Sequence, residues 1–321
     1  MRNNPTPKIL NNLFTMNKIL AEILEMPDRA QAVLQAKIPK LPWQVPYLGM
    51  GSSYFAPLAF KYMGIDISPE MASEYFHYLS LQKQKPCGVI LSQSGKSSEV
   101  LWCRSLFQKY YAISNYPEHP LSTAPNVVEV IDIRAGEEWY SSSKTYLNTL
   151  LVLFKGFGFD PSPAVDLLTQ KMDTYGAQGK QLATEVFQLL NTQKIHGIYI
   201  TGSGPNIATA LEAALILSES TKLNFHGLPM AQYDHGPKET AQNSIVIQII
   251  APGKSRERTI QLGETIAAAG AHVFSVEEPE IAEHFSILSN IIPFNFMAYY
   301  LAEQLGIEET FAVGGKITEV S

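Results

Sequence analysis

The sequence predicts an α/β fold built as two similar halves, each a parallel sheet with helices packed against it. Three observations carry this reading. Runs of buried-strand character alternate with helical patterns along most of the chain. A glycine-rich turn follows the opening strand of each half and closes onto a helix, as Gly49-Met50-Gly51-Ser52-Ser53 and again as Gly202-Ser203-Gly204-Pro205-Asn206, which indicates duplication. The apolar fraction is 45%, enough for real cores, and the charged fraction of 17% is too low for a disordered chain.

Taken in order, the strands of the first half fall at Tyr47–Met50, Gly88–Leu91, Tyr111–Ser114 and Val127–Ile133, each a short apolar or β-branched run. Helical patterns lie between and after them, near Tyr54–Tyr62, Pro69–Leu79, Ser97–Lys109 and Ser142–Phe154. The stretch Phe157–Gln181 is punctuated by glycine and proline and is expected to link the halves through a helix. The second half restarts with strands at Gly197–Thr201, Ile245–Ile250 and His272–Val276, and helices near Ile207–Ser220, Arg256–Ala269 and Pro293–Leu305. Neither glycine turn is a dinucleotide fingerprint, because the third glycine and the downstream ribose-binding acid are missing.

Composition excludes several classes. The 321 residues carry a net charge of −6 without a dense Lys/Arg cluster, which argues against a nucleic-acid partner. Cys87 and Cys103 are the two cysteines, one in a predicted buried strand and one in a predicted helix. Neither has metal-ligand or CxxC spacing, so a reducing cytosol is expected and no cofactor is called for. Met1–Lys8 does not read as a signal peptide, and no run approaches the ~20 apolar residues a membrane span needs. The expectation is a soluble cytoplasmic protein with no membrane partner.

The most informative stretch is Ser92-Gln93-Ser94-Gly95-Lys96-Ser97-Ser98, between the strand run Cys87–Leu91 and an amphipathic segment. Hydroxyls donate to phosphate oxygens, Gly95 lets the backbone come close, and helix N-terminal amides add partial positive charge. The competing reading is an ordinary helix cap. One serine would suffice for that, whereas here four hydroxyls surround one glycine.

These motifs resemble the sugar isomerase (SIS) domain family, and within it the isomerase half of glucosamine-6-phosphate synthase. Gly49-Met50-Gly51-Ser52-Ser53 resembles the family's GCGTS turn, and Ser92-Gln93-Ser94-Gly95-Lys96-Ser97 its SQSGET loop. Ser141-Ser142-Ser143-Lys144 resembles VASTK, and His235-Gly236-Pro237 resembles KHGP. Met16-Asn17-Lys18-Ile19 through Glu25-Met26-Pro27 is similar to the family's lead-in helix and break. The resemblance implies tandem duplicated domains, each a five-stranded parallel sheet flanked by helices. It divides the chain into a lead-in (1–40), a first domain with the phosphosugar site (41–160), a helical linker (161–195), a second domain (196–305) and a tail (306–321).

Carried over by position, the resemblance implies that Ser92, Gln93, Ser94 and Ser97 hold a phosphate while Ser52, Ser53 and Ser142 line the sugar. Ketose–aldose interconversion needs one base that reaches two adjacent carbons and a group that opens the ring. Glu219 matches the family's proton-shuttling glutamate, His235 its ring-opening histidine, and Lys316, in Gly314-Gly315-Lys316-Ile317, its Schiff-base lysine. Read without the family, Glu219 is a solvated helix-end residue, His235 a turn histidine and Lys316 a tail lysine. The second half has Pro252-Gly253-Lys254-Ser255 where the first has its serine loop, so one phosphate site per chain is expected.

Two departures shape the functional reading. Nothing comparable to the synthase's glutaminase domain precedes the first half, so glutamine-derived ammonia is not expected from this chain. Ile216 stands where the synthase has a lysine three residues before the shuttle glutamate, and Gln232 replaces an acidic residue three before the histidine. The expected activity is therefore isomerisation coupled to amine release or exchange, in the manner of a glucosamine-6-phosphate deaminase or a fructosamine-6-phosphate deglycase. The alternatives are a non-catalytic phosphosugar-binding regulator and a plain aldose–ketose phosphosugar isomerase. The expected partners are a small phosphosugar and a second copy of the chain, in a homodimer whose active sites are shared.

Overall fold

The computed structural model describes residues 18–80 and 84–319. Met1–Lys8 and the Met16-Asn17 start of the lead-in lie outside the described residues. Strands β1 (Pro46–Gly49), β2 (Ser68–Met71), β3 (Lys85–Leu91), β4 (Phe107–Ser114) and β5 (Val127–Asp132) form a parallel sheet in the order β2-β1-β3-β4-β5. Strands β6 (Ile198–Gly202), β7 (Phe225–Pro229), β8 (Ile245–Ile250) and β9 (His272–Glu277) form a second parallel sheet, β7-β6-β8-β9. In both sheets the chain order reverses beside the opening strand. A crevice therefore opens at the C-terminal ends of β1 and β3, and another at those of β6 and β8.

The core explains the strand composition. β8 is Ile-Val-Ile-Gln-Ile-Ile and is buried along its whole length, as a central parallel strand covered on both faces must be. One apolar cluster runs from Met26 and Tyr47 through Phe60, Phe154 and Leu168 to Ile247 and Met297. The two sheets thus share a core. The Ser162–Thr192 helix packs in it against the Ile292–Leu305 helix, and Gly179 is the point of closest approach.

The α/β class and the alternation are as expected, and four local differences have physical causes. The second sheet has four strands, one fewer than the resemblance implied. The apolar run after β9 becomes the helices Ser286–Asn290 and Ile292–Leu305, with Pro293 in the first turn of the latter. Pro69–Leu79, expected as a helix, begins as the edge strand β2, where a proline needs no ladder donor, and continues as short helical turns to Leu79. Ser97–Lys109 is a single α turn, Ser98–Trp102, and a 3₁₀ turn, Cys103–Leu106. The aromatic-rich run from Phe107 then enters β4 instead of extending the helix. Phe225–Pro229, an unanticipated strand, lies at the other sheet's edge, and Gly227 lets it approach the Asn206–Thr221 helix.

Gly179 supplies a test of the packing. A Cβ there would lie 2.4 Å from the Pro293 carbonyl oxygen and 2.6 Å from the Phe296 Cβ. Alanine favours a helix over glycine by about 1 kcal/mol, but overpacking against backbone costs about 1–3 kcal/mol. Gly179→Ala should therefore lower the urea midpoint of unfolding, and a raised midpoint would show that the two helices are not in firm contact.

Candidate active site

The crevice of the first sheet is a cavity of about 310 Å³, within the range of small-molecule sites. β3 delivers Ser92 and Ser94 to its floor, both buried. The Ser92 Oγ accepts the Gly95 amide at 3.1 Å and the Ser94 Oγ accepts the Lys96 amide at 3.2 Å. Each hydroxyl hydrogen is left to donate elsewhere. Gly95 has φ +64°, and a Cβ on it would lie 3.0 Å from the His119 Cβ, so the turn requires glycine. The His119 Nδ1 lies 2.6 Å from the Ser94 carbonyl oxygen and braces the loop from behind. Ser97 sits at the helix cap position but makes no side-chain cap bond, so the capping role does not occupy its hydroxyl.

The other walls come from both halves of the chain. Ser52 and Ser53 open the Ser52–Tyr62 helix after the first glycine turn, and Ser142 lies just before the Lys144–Gly156 helix. The Ser142 carbonyl accepts Asn295 Nδ2 at 3.1 Å, which ties this turn to the C-terminal helix. Glu219 reaches the cavity from the Asn206–Thr221 helix. Burial pushes its carboxyl up to about 7, reinforced by Glu138 and opposed by Lys316 and Lys222. A carboxyl poised there can both take and return a proton near neutrality. Its helix-end position is thus a half-buried one on the cavity wall, and not a solvated one.

The tail folds over the cavity. Gly314 and Gly315 have φ of 84° and 83°, so they form a left-handed turn that brings Lys316 inward. Lys316 Nζ donates to the Glu138 carbonyl at 2.8 Å and lies 3.3 Å from Glu138 Oε2. Phe311, Ile317 and Thr318 line the same cavity, and the Thr318 carbonyl accepts the Ser98 amide at 3.2 Å.

The six serines assigned to the phosphate or the sugar, with Gln93, Glu219 and Lys316, line this one cavity, while Ser98 of the hydroxyl loop does not. His235 does not. It is exposed in the turn after the Met230–Asp234 helix, and the cavity's lining contains no histidine of this chain among the described residues. The corresponding crevice of the second sheet is filled from within. The Glu283 carboxylate lies where a Cβ on Gly253 would come within 2.1 Å, and within 3.4 Å of one on Gly204.

Four carboxyls at or near the site escaped sequence reasoning, and one of them, Glu99, lines the cavity directly. Glu212 is fully buried and accepts the Ser52 hydroxyl at 2.9 Å. Burial drives its carboxyl well above the usual range, against the lowering effect of Ser52. A signal existed, since Glu212 and Glu219 are seven residues apart and share one face of an otherwise apolar helix. Glu138 is buried and accepts the Ser143 amide at 3.0 Å, the Ser143 hydroxyl at 2.9 Å and the Thr145 amide at 3.2 Å, together with the Thr145 hydroxyl. Glu22, on the lead-in, accepts the Trp139 amide at 2.7 Å, and burial raises its carboxyl to about 7. No local pattern marks either of these two. Among the described residues, no group of three or more His, Cys, Asp or Glu side chains is placed to hold a metal ion. No helix among them is long and apolar enough to cross a membrane.

No family model matches the chain. It is 23% identical over 288 residues to the glutamine–fructose-6-phosphate aminotransferase (isomerizing) of Methanothermobacter thermautotrophicus, covering 82% of this chain and 49% of that one. To the enzyme of the same name from Pyrococcus horikoshii it is 24% identical over 326 residues, 88% of this chain and 54% of that one. The chain is a homologue of the sugar isomerase (SIS) portion of these aminotransferases. It spans about half of their length. Among solved structures, glucosamine-6-phosphate deaminase from Thermotoga maritima superposes with a TM-score of 0.77 at 17% identity, over 94% of this chain and 99% of that one. The C-terminal domain of the Francisella tularensis glucosamine-fructose-6-phosphate aminotransferase gives a TM-score of 0.72 at 18% identity, over 90% and 96%. The fold is therefore that of these two structures.

The hydroxyl loop can be tested directly. Loss of a charge-assisted hydrogen bond costs about 1.5–3 kcal/mol, or roughly 10- to 150-fold in affinity. Ser94→Ala with Ser97→Ala should weaken phosphosugar binding by at least that range's lower end in calorimetry. An unchanged affinity would move the phosphate elsewhere.

Proposed function

We propose that this protein acts on a hexose 6-phosphate that carries an amino or amine substituent, moving a proton between C1 and C2 and releasing or exchanging the amine. The observation that carries the reading is the meeting, in one cavity, of a buried hydroxyl loop, a carboxyl poised near neutrality and an ammonium group. Ser92, Gln93, Ser94 and Ser97 take the phosphate, and Ser52, Ser53 and Ser142 face the sugar. Glu219 removes the proton from one carbon of the open chain and returns it to the other. The double bond between carbon and nitrogen formed by that shift is hydrolysed by water, giving the ketose or aldose phosphate and the free amine. Lys316 is the nucleophile available to an open ketose carbonyl. The names of the relatives and the structural neighbours, aminotransferase and deaminase, support amine chemistry at a phosphosugar. We place the activity in the cytoplasm.

The pH dependence follows from the state of Glu219. Below about 7 it carries the proton it must accept, so kcat/KM should fall close to tenfold per pH unit on the acid side. Glu219→Gln keeps the shape and cannot take a proton. It should reduce exchange of the substrate's C1 or C2 hydrogen with solvent by about 10²–10⁴-fold while phosphosugar binding persists. Full exchange by this variant would place the base elsewhere, or the protein among non-catalytic binders.

Ring opening needs a further acid or base, and His235 is exposed and away from its own chain's cavity. We propose that it serves the site of a second copy in a homodimer. Glu219→Gln chains and His235→Ala chains, each inactive, would be unfolded and refolded together. With His235 acting across a two-fold interface, each heterodimer has one doubly damaged site and one intact site, so about half of wild-type activity returns. Proven heterodimers without activity would confine each site to one chain.

A further inference from the structure

The Glu138–Trp139 peptide is held at both ends by charged side chains. Its carbonyl accepts Lys316 Nζ at 2.8 Å, and its N–H donates to Glu22 Oε1 at 2.7 Å. The next amide, Tyr140, lies 3.4 Å from Glu22 Oε2. An ammonium and a carboxyl group are therefore linked through a single peptide plane, whose dipole they align. Glu22 is buried, on the helical turn over 18–24, and one turn later Glu25 pairs at 2.7 Å with Lys144, itself 1% exposed. The lead-in thus grips the turn carrying Ser142 at two points. Behind Glu22 is a space of about 10 Å³ lined by Ser141, Ser143, Ser220, Asn295 and Ile216, the size of one water molecule.

We propose that Glu22 is a positioning residue of the active site: it fixes the Glu138–Trp139 peptide and so sets where Lys316 stands. The inference rests on the reading of the cavity as a phosphosugar amine-chemistry site. A carboxylate that only filled space would not need both of its oxygens on consecutive amides of the site-lining turn. Nor would the first of those amides belong to the peptide that receives Lys316. The charge separation also matters. Lys316 approaches Glu138 and a carbonyl aligned by Glu22, so its ammonium is held at the cavity's edge instead of swinging out with the tail.

The test uses the full chain with Glu22→Gln, assayed above pH 7 where Glu22 is ionised, so that the variant keeps shape and removes the charge. Losing one charge-assisted bond should lower kcat for amine release about tenfold, with KM for the phosphosugar within about twofold, because the serine loop is untouched. Acylation of Lys316 by an amine-reactive reagent, read on its own peptide, should change in rate by at least about threefold in the same variant. A folded variant with wild-type kcat and wild-type Lys316 labelling overturns the proposal. Wild-type protein gives a second measurement that needs no variant. Acylating Lys316 should speed hydrogen exchange at the Trp139 amide at least about threefold, since both ends share one peptide. Unchanged exchange overturns the proposal as well. If no phosphosugar yields amine even with wild-type protein, the functional reading fails, while labelling and exchange still decide the role of Glu22.

Discussion

Taking a carboxylate out of water costs several kcal/mol unless donors replace its hydration. Glu138 meets that demand with two backbone amides, two hydroxyls and the Lys316 ammonium. The donors come from the turn before the Lys144–Gly156 helix and from the tail, which are 178 residues apart where Lys316 meets Glu138. Satisfying this one carboxylate therefore folds the tail over the cavity. Although its glycines meet no neighbour and Val313 is 95% exposed, the tail is also held where Lys222 donates to the Thr310 carbonyl and the Ser98 amide to that of Thr318. An apolar residue at 138 would leave the turn without its acceptor and Lys316 with only the backbone carbonyl to donate to.

The two halves share a strand order over their first four strands and the same glycine turn, yet they divide the work. Gly202 stands close to the Asn206 carbonyl just as Gly49 stands close to that of Ser53, so both turns need a residue without a side chain. Hydroxyls line the first crevice, whereas the Glu283 carboxylate fills the second. What the second half gives instead is a helix, and its Glu212 hydrogen-bonds to Ser52 from 160 residues away. The cavity is in this sense a joint between the halves.

Much of this was legible in the residues. Strand-like runs, the two GxG turns and the serine loop gave the class and the floor of the site, because each depends on local patterns. The edge strands β2 and β7 were hidden by Pro69 and Pro229, which read as breakers until the sheet edge that tolerates them is known. The helix after the serine loop was overestimated because apolar spacing cannot distinguish a long helix from a short one running into a strand. Glu22, Glu138 and Glu212 were missed for a different reason. Their roles depend on which backbone amides and hydroxyls the folded chain brings to them, and that is information about distant contacts.

The electrostatics of the cavity follow from burial more than from the count of charges. Counted as ionised, Glu22, Glu99, Glu138, Glu212 and Glu219 would set five negative charges around a site proposed to bind a phosphate, against Lys316. Burial changes that sum. It raises the Glu212 carboxyl well above the usual carboxylate range and brings Glu22 and Glu219 to about 7, so part of that formal charge is neutralised by protons. Glu138 and Lys316 are paired, and Glu99 adds one more carboxyl to the cavity wall. A phosphate dianion then meets the hydroxyl hydrogens of the serine loop, and its arrival favours the protonated form of Glu219 still further. The same desolvation that makes Glu219 a usable base thus lets an anionic substrate approach it.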